Sequence, residues 1–196
     1  MKKIPTLFVR DPDDRSRVLP KVTPGCEWVL NGGGVATAKW DGTCILIDAS
    51  GEYARREVKP GKDAPDGFME VDYDPVTGKR FGWEPIEQSA FVKFFREAVA
   101  SGWPNGAEPA FGTYELCGPK INGNPHEFWQ HFLLPHAASP LAVPLKVTTL
   151  GSLASFREWL ESLNCEGIVW HHPDGRRAKL KRRDLGLPWP VKAVAS

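Results

Sequence analysis

The amino-acid sequence predicts an α+β fold in which antiparallel β-sheets are flanked by helices. Segments of β-rich composition outnumber segments with helical periodicity. Short turns, rather than long crossover connections, join most neighbouring β-rich segments. The length of 196 residues fits one domain with a small appendage, and a chain of this size buries about two-thirds of its unfolded surface.

The first part of the chain is predicted to be irregular, because prolines and then consecutive glycines interrupt it. We therefore expect an amino-terminal arm and loop over residues 1–34 and the folded domain over residues 35–196. The interrupting residues are Pro5, Pro12, Pro20, Pro24 and Gly32 to Gly34.

Several segments beyond residue 34 are rich in β-branched and aromatic residues, which predicts strands. Asp41-Gly42, between the first two, predicts a hairpin, and Pro173-Asp174-Gly175, between the last two, predicts a turn. Residues 59–85 are rich in Pro, Gly and Asp, which predicts mostly irregular structure there. The predicted strands are Val35–Lys39, Thr43–Asp48, Glu52–Val58, Phe68–Val71, Phe111–Cys117, Phe128–Leu134, Glu166–His171 and Arg176–Lys181.

Apolar residues at helical spacing predict two helices. The first runs from Ile86 to Ala100 and ends before a glycine and a proline. The second runs from about Ser152, a residue type that caps helices, to Leu163. The apolar stripe of the first helix is Ala90, Phe91, Phe94, Phe95, Ala98 and Val99.

Composition excludes several classes of protein. The 25 basic and 24 acidic residues leave a net charge of +1, which argues against coating nucleic acid by bulk charge but allows a local basic groove. No apolar run approaches the roughly 20 residues that cross a bilayer, and the Met1-Lys2-Lys3 start leads into no apolar segment. The four cysteines form no Cys-x-x-Cys pair, so we expect buried, reduced thiols in a cytoplasmic protein.

Lys39 is the candidate nucleophile. A lysine has a pKa of about 10.4, and lowering this value by three units disfavours the charged form by about 4 kcal/mol. Burial and neighbouring cations supply such a shift. Lys179 and Lys181 are the candidate cations, because residues two apart on a strand share a face. Asp41 would oppose the shift if it touched Lys39, so orientation or metal binding is predicted for Asp41.

Two glutamates occupy predicted strands that are otherwise mostly apolar. A buried carboxylate needs a donor or a metal ion. Glu115 is therefore a candidate for accepting ribose hydroxyls, and Glu166 for holding the magnesium ion that bridges phosphates. Each glutamate alone is more typical of a rim residue or an ion pair. Together with the three lysines, in this order, they predict a lysine nucleophile that attacks a nucleotide α-phosphate.

Other polar residues support a phosphate site less specifically. In the basic run 176–183, strand alternation places Lys179 and Lys181 on one face, which could line a phosphate pocket while flanking arginines follow a nucleic-acid backbone. Arg55 or Arg56 should also face the site, since arginine suits phosphate, but strand parity does not choose between them. The histidines at 126, 131 and 136 recur at a spacing that puts neighbours on opposite strand faces, so no shared zinc site is predicted.

These motifs resemble those of the ATP-dependent ligase and capping-enzyme superfamily of covalent nucleotidyltransferases. Lys39-Trp-Asp-Gly-Thr resembles the nucleophile motif, and Tyr-Glu115-Leu-Cys-Gly resembles the ribose motif. Glu166-Gly-Ile-Val169 resembles the motif that contacts metal and base, and Lys179-Leu-Lys181 the motif that grips the α-phosphate. Within the superfamily, the chain looks most similar to the short RNA ligases first recognised in vertebrates. This similarity spans about residues 35 to 192 and is carried by Lys39 to Cys44, Tyr114 to Pro125, His131 to His136 and Leu185 to Pro190.

The resemblance implies a nucleotidyltransferase (adenylation) fold, with ATP as substrate and Mg²⁺ or Mn²⁺ as cofactor. Lys39 would attack the α-phosphate of ATP and form lysine–AMP. The AMP would pass to an RNA 5′-phosphate, and a 3′-hydroxyl would then displace it and seal the strand. The expected enzyme is a monomer that acts on RNA ends. The implied nucleotide contacts are Trp40, Arg55, Glu115, Phe132 and Val169, with Phe132 and Val169 on the two faces of adenine.

Two departures from the wider superfamily favour a minimal RNA ligase. Cys44 stands where DNA ligases carry an arginine. About fifteen residues follow Lys181, too few for the appended OB-fold of DNA ligases and capping enzymes. The alternatives are a DNA ligase or GTP-dependent capping guanylyltransferase on the same scaffold, and a non-catalytic RNA-binding relative.

Overall fold

Residues 3–102, 110–136 and 152–191 are described in the computed structural model, and they divide into two units. One unit, called here the three-stranded unit, takes residues 4–40 and the described residues from 152 onward. The other, the six-stranded unit, takes Lys3 and the described residues between 41 and 136. The chain therefore leaves the three-stranded unit after Trp40 and returns to it later.

Eleven strands and three α-helices occur among the described residues, and we label them in chain order. Short 3-10 helices also span Ile86–Gln88 and Arg182–Leu185. The elements are β1 (Phe8–Arg10), β2 (Val18–Val22), α1 (Glu27–Leu30), β3 (Val35–Lys39), β4 (Thr43–Asp48), β5 (Gly51–Val58), β6 (Met69–Asp74), β7 (Lys79–Pro85), α2 (Val92–Ala100), β8 (Gly112–Cys117), β9 (Phe132–Pro135), α3 (Leu153–Glu161), β10 (Gly167–His171) and β11 (Arg177–Lys181).

The three-stranded unit is built on an antiparallel sheet in the order β11-β10-β3. Strand alternation gives this sheet one apolar face and one polar face. The apolar face packs against Phe156 and Leu160 of α3, whose cap is the predicted Ser152, since its side chain accepts from the Ser155 N–H. The buried residues of the apolar face are Ala36, Ala38, Ile168, Trp170, Ala178 and Leu180.

The first 34 residues contain more regular structure than their composition predicts. Strands β1 and β2 pair with each other, and Leu7 and Trp28 are buried in the core of the three-stranded unit. The Leu7 N–H donates to the Lys179 carbonyl oxygen at 2.7 Å, and the Lys179 N–H donates to that of Pro5 at 2.9 Å. This segment thus covers the edge of β11. Its two strands are short and β2 contains a proline, so the local amino-acid composition does not predict them.

The six-stranded unit has an antiparallel sheet in the order β6-β7-β5-β4-β8-β9. Helix α2 packs on one face through Phe95 and Ala98. The sheet residues buried against α2 are Ile45, Ile47, Ala54, Tyr114, Leu116 and Leu133.

The α+β class with antiparallel sheets, which the sequence predicts, is confirmed by both units. No helix among the described residues is long and apolar enough to span a membrane.

The hairpin predicted around Asp41-Gly42 is wrong. Strand β3 pairs with β10, whereas β4 pairs with β5 and β8. Strand β3 thus takes a partner distant in sequence, and β4 pairs with the next strand and with the distant β8 rather than with β3. The turn between β3 and β4 is held by groups from β8 and the loop after it. Local turn composition signals a reversal of direction but does not determine which strands pair.

Two further predictions needed correction in the six-stranded unit. Residues 59–85 contain β7 as well as β6, because β7 pairs with strands on both of its sides whatever the local composition. The helix predicted from Ile86 begins at Val92, after the 3-10 helix and an extended Ser89. The predicted apolar face is retained by Phe95 and Ala98, while Ala90 lies outside the helix and is exposed.

The basic run after β11 is not uniformly exposed. The chain turns into a 3-10 helix at Arg182, whose side chain is only 3% exposed. Its guanidinium donates to the carbonyl oxygens of Leu160, Leu163 and Pro188 at 2.5, 2.8 and 2.8 Å. Arg182 thus ties the end of α3 to the carboxy-terminal segment. For this arginine the prediction that the flanking arginines follow a nucleic-acid backbone is wrong, because its guanidinium is buried and bonded within the protein.

We expect Arg182→Met to lower the free energy of unfolding by about 2–4 kcal/mol, because it leaves buried carbonyl groups without a donor. The neighbouring Arg183 is exposed, so Arg183→Met should change the same quantity by no more than about 0.5 kcal/mol. Urea unfolding of both variants measures the difference. Equal effects would contradict the structural role of Arg182.

Candidate functional site

Three charged side chains meet on the polar face of the three-stranded sheet. The strand register places Lys39 and Lys181 on either side of Gly167. Glu166 precedes that glycine and bridges the two lysines. The Lys39 Nζ lies 2.5 Å from Glu166 Oε2, and the Lys181 Nζ donates to Glu166 Oε1. Lys179 lies two residues before Lys181 on the same face of β11. We call Lys39, Glu166, Lys179 and Lys181 the lysine cluster.

Gly167 makes this arrangement sterically feasible. A Cβ atom at this position would lie 2.3 Å from the carbonyl oxygen of Leu180, far inside van der Waals contact. Only glycine therefore lets β10 and β11 approach this closely. The Lys39 Nζ also donates to the carbonyl oxygen of Trp40 at 3.1 Å, which fixes the ammonium group at the end of β3.

Burial and charge act against each other within the lysine cluster. Burial alone would raise the pKa of the Glu166 carboxyl, but Lys39 and Lys181 outweigh it and hold that pKa below its usual value. Burial lowers the pKa of Lys181, and Lys39 lowers it further. Burial also lowers the pKa of Lys179 to about 8, with Lys181 and Lys39 adding to the effect. Two lysines thus share one bridging carboxylate and a third lysine is close enough to interact with it, an electrostatic setting that favours an anionic ligand.

Val169 lies on the same sheet face, opposite Thr37 on β3 and Lys179 on β11. It is 9% exposed. The Thr37 hydroxyl donates to the Val169 carbonyl oxygen at 3.2 Å and lies 3.1 Å from the His171 Nε2. Val169 therefore presents a small apolar surface next to the lysines.

The Asp41-Gly42 turn belongs to the six-stranded unit and is held by hydrogen bonds. The Asp41 N–H donates to His126 Nε2 at 2.8 Å, and the Gly42 N–H donates to Glu115 Oε1 at 3.0 Å. The Asn122 amide donates to Asp41 Oδ1 at 2.8 Å and to the Gly42 carbonyl oxygen at 3.0 Å. A Cβ atom on Gly42 would lie 2.3 Å from a β8 carbonyl oxygen, so this position too requires glycine.

The loop that supplies Asn122 and His126 has an unusual backbone. Asn122, Asn124 and Glu127 have positive φ angles of 48°, 54° and 55°. Asparagine tolerates this conformation better than most residues. The Asn124 side chain both donates to and accepts from the backbone of Phe128, at 2.9 and 3.0 Å. The asparagine-rich sequence of this loop therefore has a conformational reason, which strand periodicity could not reveal.

The polar face of the six-stranded sheet carries Cys44, Arg55, Glu115 and Phe132, as the register requires. The Arg55 guanidinium lies over the Phe81 and Trp83 rings, at 5.8 and 5.5 Å from their centroids.

Alternation also decides between Arg55 and Arg56. Arg56 lies on the opposite face, where its guanidinium is 3.6 Å from the carboxylate of Glu84. Burial lowers the pKa of Arg55, while Cys44 and Asp72 oppose that shift. Arg55 is thus a partly desolvated cation on the same face as Glu115.

The three histidines have separate surroundings. His126 contacts Asp41, and the buried His131 stacks on Phe94. His136 Nε2 lies 2.9 Å from Glu115 Oε2. His126 and His136 both contact predicted site residues, which sequence spacing alone did not indicate. The candidate metal ligands Asp41 and Glu166 belong to different units.

The cysteines also differ from one another. All four are thiols, as predicted. Cys26, Cys117 and Cys165 are buried, whereas Cys44 is partly exposed on the sheet face that carries Glu115.

Comparisons with known proteins agree on one family. A family model described as RNA ligase 1 matches residues 108–195, a range that includes Glu115 and most of the lysine cluster. Proteins named RNA ligase 1 from Mus musculus and Pongo abelii are 40% and 39% identical to the chain. One from Danio rerio is 27% identical. Each alignment covers 80% of this chain and 68%, 69% and 68% of the respective relative.

The pKa of Lys179 leads to a pH-dependent stability. It is about 8 in the folded protein and about 10.4 in an unfolded chain. Between these pH values the unfolded chain binds more protons, so the free energy of unfolding should rise with pH. The slope is at most about 1.4 kcal/mol per pH unit for one proton.

Urea unfolding at pH 7.5, 8.5 and 9.5 should therefore show the wild type gaining stability relative to Lys179→Met as the pH rises. Val169→Ala is the matched control, since it alters the residue opposite Lys179 without removing a titrating group. Its difference from the wild type should stay constant. A constant difference for Lys179→Met as well would contradict the burial of this charge.

Proposed function

Since the chain belongs to the RNA ligase 1 family, we propose that it is an ATP-dependent RNA ligase that forms a covalent lysine–AMP intermediate on Lys39. The observation that carries this proposal is the lysine cluster, in which a single carboxylate bridges Lys39 and Lys181. A lysine that only stabilised the fold would not need two further lysines on the same sheet face.

The lysine cluster suits a nucleophile, Lys39, whose charge depends on whether a ligand neutralises Glu166. In the resting arrangement Glu166 favours the ammonium form of Lys39, because opposite charges 2.5 Å apart attract strongly. When that carboxylate is neutralised, the remaining neighbours Lys179 and Lys181 favour loss of the Lys39 proton, since like charges repel. Glu166 therefore acts as the residue that holds Lys39 and then allows its amine to become nucleophilic.

Magnesium fits the proposed chemistry at Glu166, because carboxylate oxygens are the ligands that this hard cation prefers. Glu166 is the residue that would hold it, and Asp41 offers the same donor type in the other unit. When bound, magnesium would neutralise negative charge on phosphate oxygens. Manganese would have the same ligand preference.

The first step would form a P–N bond between Lys39 Nζ and the α-phosphorus of ATP. The bond from that phosphorus to pyrophosphate would break, and the amine would lose a proton. Lys179 and Lys181 would neutralise the charge that develops on the α-phosphate oxygens. AMP would next pass to an RNA 5′-phosphate, releasing Lys39. A 3′-hydroxyl would then attack that phosphate, form the phosphodiester and release AMP.

The polar face of the six-stranded sheet supports nucleotide binding. We assign Glu115 to the ribose hydroxyls, because its carboxylate lies on this face and is oriented by the Gly42 N–H and the His136 ring. Arg55, backed by the Phe81 and Trp83 rings, is assigned to phosphate. In the same proposal Phe132 and Val169 contact adenine, and Trp40 contacts the nucleotide beside the nucleophile.

Intact mass after incubation with ATP and Mg²⁺ tests the first step. We expect the wild type to gain one AMP and Lys39→Met to gain none, because the variant lacks the amine. Lys21→Met removes an exposed lysine and should adenylate like the wild type. AMP on Lys39→Met would refute the nucleophile, and a gain of GMP from GTP alone would indicate a capping enzyme instead.

A pre-adenylated RNA substrate tests the sealing step separately. Lys39→Met should seal such an RNA without ATP, since AMP is already on the 5′-phosphate. Glu166→Gln and Lys181→Met should each slow adenylation by about 100-fold or more, the scale of losing one preorganised electrostatic contact. Gel analysis of RNA and DNA versions of the same substrate measures both activity and sugar preference. Binding of RNA without sealing or adenylation would indicate a non-catalytic relative.

A further inference from the structure

We propose that Cys44, Glu115 and His136 form a binding site for a divalent transition metal ion of the zinc type. The three residues come from β4, β8 and the position directly after β9, all in the six-stranded unit. One ligand atom from each, a thiol sulfur, a carboxylate oxygen and an imidazole nitrogen, lies within 4.8 Å of the other two. That spacing lets one ion contact all three after small side-chain movements, since such bonds are about 2.0–2.3 Å long.

Strand pairing creates the site. Cys44 lies directly opposite Glu115 in the register of β4 and β8. Glu115 lies opposite Leu134 on β9, two residues before His136. The three ligands are thus 21 to 92 residues apart in sequence, without the short spacing of a zinc motif.

Hydrogen bonds orient two of the ligands before any metal arrives. The His136 Nδ1 lies 3.0 Å from the Thr113 hydroxyl, and its Nε2 lies 2.9 Å from Glu115 Oε2. Without metal, Nε2–H can donate to the Glu115 carboxylate while Nδ1 accepts from the Thr113 hydroxyl. A metal ion on Nε2 would take the place of that proton, and Nδ1–H would then donate to Thr113. The other Glu115 oxygen accepts the Gly42 N–H at 3.0 Å, which fixes the carboxylate plane.

These outer contacts are the kind that metal sites use to hold histidine and carboxylate ligands.

Cys44 determines which metal the site prefers. It is the one partly exposed thiol among the described cysteines. Arg55 is a cation close enough to interact with it, and the Cys44 sulfur would bind a metal ion as the thiolate. Thiolate and imidazole together select zinc, cobalt or copper over magnesium, which prefers oxygen ligands. The site therefore differs in chemistry from the magnesium proposed at Glu166.

Metal binding has a consequence for the nucleotide. Glu115 is assigned above to the ribose hydroxyls, so an ion on its Oε2 would compete with ATP. Zinc would then inhibit adenylation reversibly. This consequence rests on the proposed function, whereas the metal site itself does not.

Cobalt(II) is the probe for the site, because a thiolate bound to it gives a charge-transfer absorption in the near ultraviolet. Tag-free, metal-free protein is titrated with cobalt(II) and then with zinc(II). The wild type should show the band at one equivalent and lose it when zinc displaces cobalt. Cys44→Ser should abolish the band, and His136→Gln should weaken binding by at least about 100-fold. Thr113→Val, which removes an outer contact, should weaken it about 10- to 100-fold.

Cys165→Ser is the matched control. Its thiol lies in the three-stranded unit and donates to the Gly167 carbonyl oxygen, a bond that serine retains. This variant should bind cobalt like the wild type. Urea unfolding in metal-free buffer confirms that each variant is folded, and zinc should raise the thermal midpoint of the wild type but not of Cys44→Ser.

Absence of the band in the wild type, or its persistence in Cys44→Ser, would overturn the site. Adenylation measured with Mg²⁺, with and without zinc, tests the consequence. If the cobalt band appears but zinc does not change the rate of adenylation, the proposed competition between zinc and ATP is overturned. Lack of adenylation under every condition would overturn the proposed function, while the cobalt spectrum would still decide the site.

Discussion

The ion pairs of Glu166 are the interaction on which the candidate site depends. One carboxylate at the start of the central strand holds a lysine from each flanking strand. Without it, three lysines would lie together on a partly buried sheet face with mutual repulsion and a large loss of hydration. The pairing stabilises the resting protein, and it also sets the condition for the proposed reaction. In that proposal, Lys39 would become a nucleophile when another cation takes its place at Glu166.

Both units use the same structural principle. Each sheet buries one face in an apolar core and leaves chemically active groups on the other, as strand alternation dictates. Glycine then removes the steric obstacle at the critical position of each unit. Gly167 lets β10 and β11 approach each other closely beside the lysines. Gly42 lets the turn after Lys39 approach β8. The functional side chains are therefore carried by strands, which hold them more rigidly than loops would.

The sequence was most informative where a feature depends on near neighbours in the chain. Strand alternation anticipated that Lys179 and Lys181 share a face, and the stripe of α3 with its serine cap appears as predicted. It was least informative where long-range pairing overrides local preference. The Asp41-Gly42 turn looks like a hairpin, and yet β3 and β4 belong to different sheets. Arg182 looks like a nucleic-acid contact, but the chain turns inward there and buries it.

The sequence by itself determined the chemistry available to this protein: a lysine before Asp-Gly, two glutamates in apolar strands and a Lys-x-Lys strand. Tertiary structure alone decided which of these groups meet. It paired Glu166 with Lys39 across 127 residues and gathered Cys44, Glu115 and His136 on one sheet face. The physical reason is that residue type and periodicity are local properties, whereas register between distant strands is set by packing of the whole sheet.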